Sequence, residues 1–223
     1  MEDEGTIKIN TSGIKNSFAK AFDFFAQKKV MNATIIILLL ATLVISGWIR
    51  TQNISDLKDS TTGDFTLGPD LDPFLYLRHA EEINNGNLEN PDMMRYAPLG
   101  SVNYALKNLM PWVIFVLFKI MSVFSSKSIT YSAIILPVVL FLISIIGFFL
   151  FNYSAFSIKF SKKFAASTAL LASFLYAILP PILHRTVAGV PEIESLGLAW
   201  LWFALFFFIL AWKSESRKKQ LIY

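Results

Sequence analysis

Four long apolar runs, punctuated by clusters of lysine and arginine, constrain this chain more than any other feature. A helix needs roughly 20 mainly apolar residues to cross a bilayer. Residues 30–50, 130–153, 164–183 and 195–212 meet that length and are rich in Leu, Ala, Ile and Phe. Composition points the same way. Charged residues make up 16% of the chain, against about 25% in soluble domains. The expected fold class is therefore an all-α polytopic membrane protein. Pro137 falls inside the second run and is expected to kink it.

A further apolar stretch, Met110 to Phe124, is short and interrupted by Lys119. It reads as a span or as a helix lying in the interface. The basic clusters discriminate. Lys15, Lys20, Lys28 and Lys29 precede the first span; Lys159, Lys162 and Lys163 follow the second; Lys213, Arg217, Lys218 and Lys219 follow the fourth. Four spans put all three clusters on one side, which the positive-inside rule makes cytoplasmic. A fifth would split them. The expected order is a cytoplasmic segment 1–29, an external loop 51–129 with an interfacial helix 110–124, a cytoplasmic loop 154–163, an external loop 184–194 and a cytoplasmic tail 213–223. The first segment carries Phe18, Phe22, Phe24 and Phe25, consistent with an amphipathic helix or with a solvated charged tail. It is too long and polar for the first span to be a signal peptide. The spans read as free of charge, with Arg50 at the edge of the first external loop.

This topology places two acid pairs on the same external side. Asp70 and Asp72 lie in "GPDLDP", Glu192 and Glu194 in "VPEIE". Carboxylate oxygens on two loops suit a hard divalent ion, Mg2+ or Mn2+, with room left for a substrate phosphate. At a membrane surface that substrate would be lipid-linked, and the metal would stabilise its leaving phosphate. Plainer readings stand beside this one. Loop acids are commonly just solvated, Asp70 can initiate a turn beside Pro69, and Glu192 can complement a helix dipole. His184 and Arg185 read as interfacial anchors. His79 and His184 match no metal spacing, and the absence of Cys excludes thiolate chemistry. Asn53-Ile54-Ser55 is a sequon of small weight. The net charge of +4 sits at span ends, so nucleic acid is not an expected partner.

The stretch "DPFLYLRHAEEINNG", followed by "MMRYAPLG", resembles the first external loop of the oligosaccharyltransferase catalytic subunit, in the style of its archaeal branch. "RTVAGVPEIESL" is similar to that family's second external loop. The resemblance implies the N-terminal part of a C-type glycosyltransferase-like transmembrane helix bundle with a long helical first loop. It implies metal-dependent transfer of a glycan from a dolichyl or other polyprenyl phosphate or diphosphate carrier to Asn in N-x-S/T sequons. The implied partners are lipid-linked oligosaccharide, a sequon-bearing acceptor and membrane lipid, in an archaeal-type cell membrane. By the same resemblance Asp72 binds metal and contacts the acceptor amide. Glu192 is a metal ligand, and Glu194 lies near the metal or the diphosphate with a catalytic role. Arg78 and Arg95 meet phosphates or brace the loop, and Asp70 has no counterpart. Glu192 departs from the Asp usual in the family. No W-W-D motif occurs, which implies an incomplete N-terminal piece, inactive alone. A protein O-mannosyltransferase-like enzyme is disfavoured by the R-Y-x-P-L-G and R-T-x-x-G stretches. A non-enzymatic transporter or assembly subunit is disfavoured by the uncharged spans.

Overall fold

In the computed structural model, residues 28–214 are described. The expected amphipathic segment and most of the basic tail lie outside them. Helix α1 spans Lys28–Thr51. Its threonines return their hydroxyls to the helix, Thr34 to Val30 O and Thr42 to Leu38 O, both at 2.9 Å, so neither meets lipid unpaired. Helices α2 (Leu71–Asn85) and α3 (Met110–Ser122) belong to the first long loop. Helix α4 spans Ile129–Phe156, and α5 spans Lys162–Ile178. A one-turn helix α6, Pro180–Leu183, leads to α7, Ile193–Lys213.

Three of these, α1, α4 and α7, are long and apolar enough to cross a membrane. Helix α5 is shorter than the run from 164 to 183 led one to expect. It stops at Ile178 because Pro180 and Pro181 follow. Leu179, just before a proline, is extended at φ −66° and ψ 116°, as the proline ring favours. Its 17 residues reach about 26 Å, less than the roughly 30 Å of hydrocarbon. Helix α4 runs on as one helix through Pro137.

Helix α4 is the centre of the bundle. Half of its most apolar stretch is buried, against 11% for α1. Tyr176 of α5 joins three helices. Its hydroxyl shares a 2.7 Å hydrogen bond with Ser144 of α4 and accepts one from Trp202 Nε1 of α7 at 3.0 Å. Phe148 of α4 stacks on Tyr176 and meets Trp202 edge-on, both at 4.5 Å. Gly147 makes room for this: a Cβ there would stand 3.0 Å from Phe203 and 3.1 Å from Trp202.

The helix ends sort into two groups. At one end the last turn of α1, the start of α4, the end of α5 and the start of α7 meet: Arg50 bonds Ala177 O, and Gly189 N bonds Ile134 O. At the other end Met31 of α1 lines grooves with Tyr153, Lys162 and Lys163. There Lys213 donates to Ser154 O and Ser157 Oγ at 3.3 and 2.9 Å, a cation on the C-terminal carbonyls of α4. The four rods thus alternate in direction, and the described basic residues of three segments share one end.

The first loop folds onto the opposite end. Helix α2 buries Pro73, Tyr76, Leu77 and Ala80, a helical stripe that joins Met110 and Ile114 of α3 and Ala133, Ile134 and Leu136 of α4. Its C-cap is Gly86 at φ 72°, a left-handed residue that costs glycine little. Helix α3 has 13 residues, about 20 Å, too short to cross by itself. It leaves Trp112, Val116 and Ile120 exposed. One finding departs from the reading of uncharged spans. Arg50 lies in the last turn of α1 and is fully buried.

Candidate functional site

Two loops bring the acid pairs to the same end of the bundle. Asp70 is the N-cap of α2, its Oδ1 accepting from Leu71 N at 3.2 Å. Asp72 follows in the first turn and is exposed. Glu192 is the N-cap of α7 and is only 5% exposed, while Glu194 sits exposed in the next turn. The loop before α7 is tied by backbone bonds. Gly68 N donates to Gly189 O at 2.8 Å, and Gly189 N donates to Ile134 O at 2.9 Å. Gly189 has φ +88°, and a Cβ there would stand 2.5 Å from Leu57 Cδ1. The left-handed φ favours glycine, and a side chain would also push Leu57 aside.

Arg185 sits between the loops. Its Nη1 is 3.6 Å from Asp70 Oδ2 and 3.5 Å from Glu192 Oε1. Sequence reading cast it as an interfacial anchor and gave Asp70 no direct part. The structure makes Asp70 both the helix cap and the partner of that bridge. Burial pushes the Glu192 carboxyl up to about 7, helped by the charges of Asp70, Glu194 and Asp72 and opposed by Arg185. Burial, Tyr104 and the charges of Asp72 and Glu192 together raise the Tyr76 phenol. Tyr76 therefore lies within electrostatic reach of both acid pairs.

Arg78 and Arg95 lie elsewhere. Arg78 bonds Asp92 Oδ2 at 2.5 Å and Glu82 Oε1 at 2.7 Å. Asp92 is nearly buried, and Arg78 holds its carboxyl below the usual range. His79, also buried, stands 2.9 Å from Glu82. Asn103 donates to Glu82 Oε2 and Glu89 O. This network pins the 90–103 segment to α2. Arg95 lies over the Tyr104 ring at 5.6 Å. Both arginines thus make contacts within the first loop. The sequon Asn53 is committed too: its Nδ2 donates to Ala188 O at 2.8 Å.

A divalent ion suits this cluster in kind. Glu192 feels the charges of Asp70, Asp72 and Glu194, and its raised proton affinity marks a place short of positive charge. In spacing the cluster is more open: among the described residues no three acidic or histidine side chains are gathered closely enough to hold an ion. Arg185 stands between Asp70 and Glu192, one member of each pair.

A family model described as "Oligosaccharyl transferase STT3, N-terminal" matches residues 61–223. The match takes in both acidic loops and helices α2 to α7. No curated protein matches the chain.

Proposed function

The chain belongs to the oligosaccharyl transferase STT3 family, and from that premise we propose that its two acidic loops form part of a glycan-transfer site. The family makes it an oligosaccharyltransferase membrane subunit, a glycosyltransferase acting in general on lipid-linked oligosaccharide and a protein acceptor. In our reading the donor is a polyprenyl, archaeal-type dolichyl, phosphate or diphosphate, and the acceptor is the Asn of an N-x-S/T sequon. The carrying observation is Arg185 between Asp70 and Glu192, with the charges of Asp72 and Glu194 also felt by Glu192, at the bundle end opposite the lysines. By the positive-inside rule that end faces outward, with α3 along the external interface and α5 completing a fourth span together with α6.

Asp72 and Glu192 would hold a Mn2+ or Mg2+ ion, with Glu194 beside it. When bound, the ion would supply Lewis-acid stabilisation of the leaving phosphate. Asp72, exposed at the start of α2, accepts the acceptor amide N–H and polarises it toward attack. Arg185, 45% exposed, offers its guanidinium to a phosphate oxygen. Arg78 and Arg95 keep the 90–103 segment folded against α2 and Tyr104.

The test has two readouts. Electron paramagnetic resonance of Mn2+ added to the purified chain should report bound ion at pH 8, weakened in Asp72→Ala and in Glu192→Gln. Transfer of a lipid-linked glycan to a sequon peptide by the full-length enzyme should fall by at least about 100-fold in Asp72→Ala with membrane insertion intact. Unchanged Mn2+ affinity together with near-normal transfer would defeat the assignment.

A further inference from the structure

A buried cation with no carboxylate partner among the described residues lies at the same end of the bundle as the acidic cluster. Arg50, in the last turn of α1, has no exposed surface. Its guanidinium lies 3.7 Å over the Phe141 ring. Nη1 donates to Ser46 Oγ and to Ala177 O, both at 2.9 Å, and Nε donates to Thr186 Oγ1 at 2.9 Å. Nη2 has no partner among the described residues. Burying such a charge is costly, and a packed apolar side chain would fill the space at less expense. Packing alone therefore does not account for it.

Its acceptors do. The carbonyl of Ala177 would ordinarily accept from the residue four ahead. That residue is Pro181, which has no N–H. Arg50 fills the vacancy left by the break after α5. Its other arm reaches Thr186, the neighbour of Arg185 in sequence. The backbone repeats the tie: Ala188 N donates to Arg50 O at 2.9 Å. Asn53, three residues on, donates to Ala188 O at 2.8 Å. Gly189 then passes the connection to Gly68, two residues before Asp70, through the 2.8 Å bond from Gly68 N. The second loop hangs from the end of α1, and the first loop hangs from the second.

We infer that Arg50 is a positioning residue for the acidic cluster: through Thr186 it couples the broken end of α5 to residues 184–192 and so sets the separation of Glu192 from Asp70 and Asp72. It touches no reacting group. Its consequence for catalysis rests on the transferase reading above; its effect on loop geometry does not. Arginine is needed because one planar fork reaches Ala177 and Thr186 together. A lysine ammonium on a flexible stem reaches one of them at a time.

Because the chain contains no cysteine, spin labels can be placed at will. Leu71→Cys and Ile193→Cys, at positions 85% and 43% exposed, report the distance between the two loops by pulsed electron paramagnetic resonance in nanodiscs. Val44→Cys and Leu171→Cys, at positions 71% and 61% exposed, report the packing of α1 against α5. In Arg50→Lys and Thr186→Val the loop distance should broaden or shift while the α1–α5 distance keeps its wild-type form. Thr186→Ser, which retains the hydroxyl, should restore the wild-type loop distance. An unchanged loop distance in Thr186→Val would overturn the inference. So would a parallel change in both distances, which marks general loosening, or a Thr186→Ser variant that behaves like Thr186→Val. No substrate or metal is added, so a failure of the transferase reading leaves this measurement standing.

Discussion

Replacing Glu192 by Gln should stabilise the metal-free fold at high pH while removing the best-buried oxygen ligand of the proposed ion. The Glu192 carboxyl sits at about 7, above the ordinary 4.5, because it is buried beside Asp70, Glu194 and Asp72, with only Arg185 opposing. The folded state therefore holds a proton that the unfolded state has already released. Unfolding free energy contributed by this group is full below about pH 4.5 and is lost as pH rises to about 7 and beyond. At full strength that displacement corresponds to about 3 kcal/mol. Asp70 and Arg185 are 41% and 45% exposed, so solvent screening reduces the expected net effect to about 1–2 kcal/mol. Glu192→Gln cannot ionise and escapes this loss. Chemical unfolding of the chain in detergent, followed from pH 4.5 to 8.5 with chelator present, should show the wild type weakening across that window by more than the variant, which keeps only the smaller contribution of the raised Glu81 carboxyl. Added Mn2+ should restore the wild type at pH 8 and leave the variant unchanged. A variant whose advantage does not depend on pH, or a wild type more stable at pH 8 than at pH 5, would refute the electrostatic argument.

Arg78→Met leaves Asp92 nearly buried without its main partner, and should cost about 2–4 kcal/mol by chemical unfolding. Adding Asp92→Asn should recover part of that loss, and a full-cost double variant would show that the pair does not act as a unit. Single cysteines at Leu99 and Phe124, both 86% exposed, should react with an impermeant thiol reagent from the side opposite a cysteine at Lys162. Reaction of Leu99→Cys and Phe124→Cys from opposite sides would make α3 a span and remove the four-span topology.

The apolar runs made the bundle readable. A hydrophobic stretch of the right length has few alternatives in a membrane, and helices α1, α4 and α7 fall close to the runs that suggested them. Pro180 and Pro181 end α5, although the apolar run continues past them. Reading hydrophobicity ahead of proline overran that helix. The acid pairs were visible because paired carboxylates at fixed spacing are a local pattern.

How the pairs meet was not local. Arg185 bridges residues on different loops, Asp70 and Glu192, and no spacing rule links positions so far apart. Along the chain Arg78 and Arg95 were open to phosphate contact or to bracing the loop; it is folding that pairs Arg78 with Asp92 and lays Arg95 over Tyr104. Arg50 looked like the first residue of a loop because it follows an apolar run. Only packing reveals that α5 offers it an orphan carbonyl and that the second loop offers it Thr186. By itself the sequence determined which segments are helical, where they break and which residues carry charge, since these follow from the chemistry of neighbours along the chain. The tertiary structure decided which charges share a site and which are consumed in holding it, because electrostatic and hydrogen-bond partners are chosen by distance in space.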